Sequence, residues 1–235
     1  MTTAQLKREP LFGEITRKLR RHLAHHGLGN TARRLVRAIT SRWREHRLGI
    51  VTSGNIAGTE MGFDAVSFGY QPVPYASFDA AMRHVDVRPG VDVFVDFGCG
   101  MGRAVILAAT YSFRRVIGVE RSESLSRIAR GNIVRAKSKL RCRDVLVETC
   151  DARNYQVPMD ATHFFLFNPF DEPVVLNVLD HIRQSVEAHP RKVSIIYALP
   201  KCRHDPLPSI SWLELKSELE TIDSDWQRLA IYETR

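Results

Sequence analysis

The 235 residues are 44% apolar and 26% charged, which fits one α/β domain with an extension, and no apolar run approaches the ~20 residues needed to span a bilayer. The net charge of +8 is lopsided, because residues 1–50 hold 12 Lys and Arg against Glu9, Glu14 and Glu45, and the remaining chain is near neutral. A secretory signal is not expected from so polar an N-terminus, and four cysteines (Cys99, Cys142, Cys150, Cys202) without a CxxC pair suit a reducing, cytoplasmic setting.

In chain order, residues 1–48 read as a basic helical extension. Leu11, Ile15, Leu19 and Leu23 recur at every fourth position and give one apolar stripe among bases. Gly27 and Gly29 interrupt it, and Asn30 or Thr31 can cap a second helix. Leu35, Val36, Ile39 and Trp43 supply the apolar face of that helix, with Arg33, Arg34, Arg37, Arg42 and Arg44 around it. Such a segment either packs with its arginines in water or docks nucleic acid, an anionic membrane surface or an acidic protein. A mitochondrial-type presequence is also compatible with it.

Residues 49–76 read as a loop or lid. Gly49-Ile-Val-Thr-Ser-Gly54 is followed by Gly58, Gly62 and Gly69, then by Tyr70-Gln-Pro-Val-Pro-Tyr75, whose prolines hold the backbone extended. Tyr70 and Tyr75 are candidates for ligand contact or for anchoring the loop. Residues 77–235 form the domain proper. Ser77 can cap a helix carrying Phe78, Ala81, Met82 and Val85, which leads through Pro89-Gly90 into an apolar strand from Val91 to Val95.

That strand runs into Asp96-Phe-Gly-Cys-Gly-Met-Gly102 and then a helix from Arg103 to Thr110. Three glycines at every second position, opened by an acid, predict a tight turn whose backbone a ligand can approach closely. The spacing is not the G-x-G-x-x-G of a dinucleotide site, and no Gly-Lys-Ser/Thr follows as in a P-loop. Arg115 to Glu120 reads as a second strand, ending in an acid 24 residues after Asp96 that can accept both hydroxyls of a ribose. Asp144 to Asp151 reads as a third strand closing on an acid, and Thr162 to Phe170 as a fourth closing on Asn168-Pro169-Phe170. Four such strand ends place a site along the carboxyl edge of a parallel sheet. Cys99 reads as a small filler and Arg103 as a solvated charge. Cys202 and His204 are too few ligands for zinc, so no metal is expected. A helix over 173–188, a strand over 192–199 and two β-type runs, 210–219 and 226–232, pairing as an antiparallel hairpin, complete the pattern.

The motif D-x-G-x-G-x-G resembles motif I of the class I S-adenosylmethionine-dependent methyltransferases, and the similarity covers roughly residues 65–235. More narrowly, Gly49–Gly54, Tyr70-Gln-Pro72, Asp96–Arg103, Gly118-Val-Glu120 and Phe167–Phe170 resemble bacterial members of that family without an assigned substrate. That group is distantly similar to the non-SET lysine methyltransferases. The resemblance implies a doubly wound, mostly parallel, Rossmann-like sheet of seven strands with a C-terminal antiparallel hairpin, and S-adenosylmethionine as cofactor. Gly98, Gly100 and Gly102 would pass beneath its methionine and ribose, Asp96 would lie near its ammonium, Glu120 would take the ribose and Asp151 the adenine amine. Tyr70 and Tyr75 would cover the cofactor edge.

At Asn168 a side-chain carbonyl could accept a hydrogen of an amine nucleophile. Asn168-Pro169-Phe170 departs from the N/D-P-P-Y/F motif of amino-methylating enzymes by lacking the second proline, which speaks against a nucleobase amine. The expected function is in-line N-methylation of a lysine-type or other macromolecular amine, with Asn168 and Tyr75 as candidate catalytic residues. Residues 1–48 would dock protein or nucleic acid, or touch a membrane. The alternatives are a cofactor-binding module without turnover, whose basic helices bind nucleic acid or membrane, and a small-molecule methyltransferase.

Overall fold

A computed structural model describes residues 35–54, 70–168, 170–200, 204–220 and 227–235. The expected helix around Leu11 to Leu23, the cap at Asn30 or Thr31, Pro169, Cys202 and the hairpin connection at 221–226 lie outside the described residues. The chain divides into two compact units, 1–44 and 45–235.

Residues 35–48 are helical (α1). The larger unit then contains α2 (Tyr75–Met82), β1 (Val93–Phe97), α3 (Arg103–Ala108), β2 (Arg115–Glu120), α4 (Glu123–Ala136), β3 (Asp144–Thr149), β4 (His163–Phe167), α5 (Glu172–Ala188), β5 (Ser194–Pro200), β6 (Leu213–Glu220) and β7 (Gln227–Thr234). The strands form one sheet in the order β3-β2-β1-β4-β5-β7-β6. The first five are parallel, and β7 runs antiparallel to both β5 and β6.

Strand β1 lies inside the sheet between β2 and β4, and its five residues are all buried, as a parallel strand covered on both faces requires. The period of two divides the core. Phe94 faces a cluster with Phe78 of α2, Val105 and Ile106 of α3, Phe165 and Ile196, whereas Val93, Val95 and Phe97 face Phe164, Leu166 and the α5 residues Val178, Leu179 and Ile182. Phe165 meets Phe78 edge-on at 5.6 Å, and Phe97 stacks against Phe164 at 6.3 Å. The sheet order reverses between β1 and β4, so the crevice at their carboxyl ends is the topological switch point.

Three boundaries differ from the sequence reading. Helix α2 begins at Tyr75 behind an extended Pro74, so Ser77 is a buried residue of its first turn and caps nothing. Strand β1 begins at Val93. Asp92 is held in the preceding turn, where it accepts from the Arg88 amide at 2.6 Å and the Arg88 guanidinium at 2.7 Å, and Val91 is left exposed. Strand β6 begins at Leu213 because Leu207–Ser209 forms a turn of 3-10 helix first. Among the described residues, no helix is long and apolar enough to cross a membrane.

Candidate functional site

The glycine loop leaves β1 under tight backbone control. The amides of Gly98 and Cys99 both donate to the Val119 carbonyl, at 2.8 and 3.0 Å, which ties the turn to the end of β2. Gly98, Gly100 and Gly102 all adopt positive φ (79°, 54° and 83°), a region costly for any residue with a Cβ. Space is as tight as conformation. A Cβ on Gly100 would lie 2.3 Å from the Tyr70 ring, and one on Gly102 would lie 3.1 Å from Ala129 of α4. The Tyr70 hydroxyl donates to the Thr52 carbonyl at 2.7 Å, so the ring is pinned against the loop, where it packs with Met101 and Leu125.

Two carboxylates sit beneath this loop. Asp96 is 3% exposed, and burial, reinforced by the negative charge of Glu120, holds its carboxyl well above the usual carboxylate range. Among the described residues nothing hydrogen-bonds or ion-pairs with the Asp96 carboxylate. Glu120 accepts from the Gly100 amide (Oε2, 2.8 Å) and the Ser122 amide (Oε1, 2.8 Å), and burial still raises its pKa over those bonds. Two buried acids with no cation beside them are costly alone and favourable around a positively charged ligand. The arrangement therefore fits the ammonium and sulfonium of S-adenosylmethionine. Cys99, expected as a filler, lies against Gly118, where a Cβ would sit 2.7 Å from its sulfur. Burial and the two neighbouring acids push its thiol far up, so it is no nucleophile.

The outer strand ends are arranged differently. Asp151, after β3, is gripped by the Arg153 guanidinium at 2.6 Å, which holds its carboxyl below the usual range against partial burial. Arg121 approaches it at 3.9 Å. Asn168 closes β4 with φ of 42°, the single non-glycine of positive φ among the described residues, and its amide donates to the Ala198 carbonyl at 2.7 Å. Asparagine tolerates that conformation, and it turns the chain away from the sheet at the switch point.

Arg103 is not a solvated charge. It is 5% exposed, and its guanidinium is fully engaged. Nε donates to Thr52 Oγ1 (2.8 Å), Nη1 to the Val73 carbonyl (3.0 Å), and Nη2 to Glu45 Oε1 (3.2 Å) and Ser53 Oγ (3.1 Å). Its face lies 4.6 Å from the centre of the Tyr75 ring. Glu45 Oε1 also accepts from the Thr52 amide and hydroxyl, at 2.8 and 2.7 Å. Asn132 of α4 completes the clamp, accepting from the Val51 amide and donating to the Val51 and Met101 carbonyls. The segment 45–54 is thereby fastened to the helix that leaves the glycine loop.

The structure thus brings Asp96, Gly98, Gly100, Gly102, Glu120 and Tyr70 together at one loop, with Asp151 and Asn168 on the flanking strand ends and Tyr75 beneath Arg103. Glu45, Thr52 and Asn132 were missed by sequence reasoning. One signal was available for the first, since Glu45 is a rare acid within an arginine-rich helix.

The family described as histone methylation protein DOT1 matches residues 67–148, which include the glycine loop and Glu120. No curated protein matches the chain. Among solved structures, a TehB-like S-adenosylmethionine-dependent methyltransferase from Corynebacterium glutamicum is similar at 16% identity and TM-score 0.50, over 84% of this chain and 97% of that one. The protein HI0767 of Haemophilus influenzae gives 14% and 0.52, over 77% and 99%. A mutant of MtNAS solved with S-adenosylmethionine gives 14% and 0.52, over 68% and 62%. The fold is that of the class I S-adenosylmethionine-dependent methyltransferases, and the histone methylation family matches the third of the chain that carries the glycine loop.

Proposed function

We propose that the chain uses S-adenosylmethionine to methylate an amine carried by a macromolecule, a lysine-type amine in the first instance. The observation that carries the cofactor assignment is the buried Asp96 carboxylate, unpartnered among the described residues and beside Glu120, a pair that needs a cation. The cofactor of the MtNAS complex has that chemistry. The match to a histone methylation family supports a protein amine.

In this reading Asp96 faces the cofactor's ammonium, and Glu120 keeps lone pairs for the ribose hydroxyls while its two amide bonds hold it still. The three glycines let the ligand rest on bare backbone. Asp151 remains the candidate for the adenine amine, oriented by Arg153. When bound, the cofactor supplies a methyl carbon already activated by its sulfonium, so the protein's task is orientation and exclusion of water. Tyr70 serves the second by covering the loop. Asn168, at the carboxyl end of β4, is the candidate acceptor for the hydrogens of a neutral amine. Tyr75 is 5% exposed and stacked on Arg103, which fits a positioning residue that sets the loop through α3.

The test is calorimetric titration of the full chain with S-adenosylmethionine and S-adenosylhomocysteine, followed by transfer of labelled methyl to protein, RNA and small amines. Micromolar binding with label on protein supports the proposal. Binding with label only on RNA or small amines refutes the substrate class, binding without any transfer favours the module without turnover, and no binding refutes the cofactor.

A further inference from the structure

A run of bases closes α4 and leads into β3. Residues 130–143 contain six bases (Arg130, Arg135, Lys137, Lys139, Arg141 and Arg143) and no acid. Two of these are absorbed by the fold. Arg130 donates to the Val147 carbonyl and Thr149, and Arg135 to the Gly49 carbonyl. The other four are exposed, and among the described residues none of them reaches a carboxylate.

Their common direction follows from local structure. After α4 the chain makes one turn of 3-10 helix and then extends, with Leu140 and Cys142 buried in the core at 4% and 3% exposure. The period of two that turns those residues inward turns Lys139, Arg141 and Arg143 outward together. Extended backbone spaces them ~6.6–6.8 Å apart. The row is also rigid, because the Arg141 and Cys142 amides both donate to the Ala109 carbonyl (2.9 and 3.0 Å), and Arg143 Nη1 donates to the Lys137 carbonyl at 3.0 Å. The Lys139 amine approaches Gly49, so the positive surface continues toward the segment that clamps the glycine loop.

We infer that Lys137, Lys139, Arg141 and Arg143 form a docking surface for the phosphate backbone of a nucleic acid. A rigid row of bases without acids meets the regular charges of a phosphodiester chain, releasing counterions as it does so. Leu140 and Cys142 point inward and Val134, one turn earlier on α4, is a lone exposed apolar side chain, too little to seat the row in a lipid layer, and the row has no ring for base stacking. It recognises backbone and not sequence. The surface lies at the amino end of β3, and six residues of strand separate it from the cofactor loops by roughly 20 Å. It is a tether that holds the protein on a polymer, separate from the amine acceptor.

The experiment is fluorescence anisotropy of a labelled 20-base-pair duplex and a labelled 20-nucleotide single strand with the full chain, across a salt series. Two variants are compared with wild type: Lys139→Gln/Arg141→Gln/Arg143→Gln, and Lys139→Gln/Arg141→Gln, which keeps the Arg143 bond to the helix end. At 50 mM salt the double variant should bind at least tenfold more weakly, and its slope of log affinity on log salt should be shallower by about 1.8, at ~0.9 per lost phosphate contact on duplex. The triple variant should lose about 2.7 by the same rule. Melting temperature should match wild type for the double variant, which carries the test if the triple fails to fold. Wild-type affinity and slope in the double variant would overturn the inference, as would absence of nucleic-acid binding by wild type at 50 mM salt. Loss of sedimentation with phosphatidylserine vesicles, with duplex binding unchanged, would assign the surface to membranes and overturn it equally.

Discussion

Replacing Arg103 by Met is the most demanding test of the clamp. The substitution keeps the aliphatic stem and removes a guanidinium whose four hydrogen bonds reach Thr52, Ser53, Val73 and Glu45. What remains is the Glu45 carboxylate, 8% exposed, with neutral donors from Thr52 and Ser53 and no counter-charge, and a Val73 carbonyl without its Arg103 donor. Glu45 now sits below its usual pKa. Burial opposes this, and the Thr52 and Ser53 hydrogen bonds together with the Arg103 charge outweigh it. Removing one partner of a buried pair costs about 3–5 kcal/mol. For a unit of this size, 1 kcal/mol corresponds to roughly 2–4 °C in Tm, so a fall of about 6–20 °C is expected in differential scanning calorimetry. Glu45→Gln and the double variant complete a cycle, in which the coupling energy should be about 1–3 kcal/mol. A Tm loss below about 3 °C, or additive single effects, would show that the clamp does not hold segment 45–54, and the proposed role of Tyr75 through Arg103 would fall with it.

Other outcomes follow from the same geometry. An acid whose native pKa is raised binds its proton more tightly in the folded state, so stability without cofactor declines as pH rises from the ordinary carboxylate range through the native pKa. Asp96→Asn should therefore raise the melting temperature of the cofactor-free protein at pH 7.5 while weakening S-adenosylmethionine at least tenfold by calorimetry; a lower melting temperature would contradict the unpartnered state of Asp96. Gly100→Ala, which must displace the Tyr70 ring and adopt φ of 54°, should abolish measurable cofactor binding and lower Tm, and normal affinity would mean that Tyr70 does not cover the loop. His163, buried between Thr162 and the Asp86 carbonyl, is held neutral by desolvation. Its folded pKa lies below the unfolded value, so its contribution is intact above about pH 6.5 and lost as pH falls. Urea unfolding of wild type minus His163→Gln between pH 7.5 and 5.5 should show that loss in wild type alone; parallel curves would refute it.

The parts of the fold that sequence revealed are those in which neighbours in the chain are neighbours in space. Val93 to Phe97, the glycines that follow and the helix from Arg103 form one continuous stretch, and their periodicity and turn chemistry are local. Glu120 was legible because an acid at the end of the adjacent parallel strand has a fixed offset from the loop. Arg103 was misread because its partners are distant: Glu45 is 58 residues away and Thr52 is 51. A buried cation cannot be recognised from its own surroundings in sequence, since only the fold supplies the counter-charge. Ser77 was misplaced as a cap because Pro74 already sets the extended backbone that starts α2 two residues earlier. Tyr70 over Gly100 was anticipated as a lid without its anchor, the Thr52 carbonyl, which no local pattern announces.

The order β5-β7-β6 has a consequence for how the protein is made. Strand β7 leaves the ribosome after β6, yet it lies between β6 and β5 and bonds to both. Until it emerges, β5 presents a bare edge and β6 has no strand to join. The parallel half of the sheet can assemble during synthesis, whereas the antiparallel half closes by insertion. A chain stalled before residue 227 would expose the Ser194–Pro200 edge, a strand rich in apolar residues and open to pairing with another nascent copy.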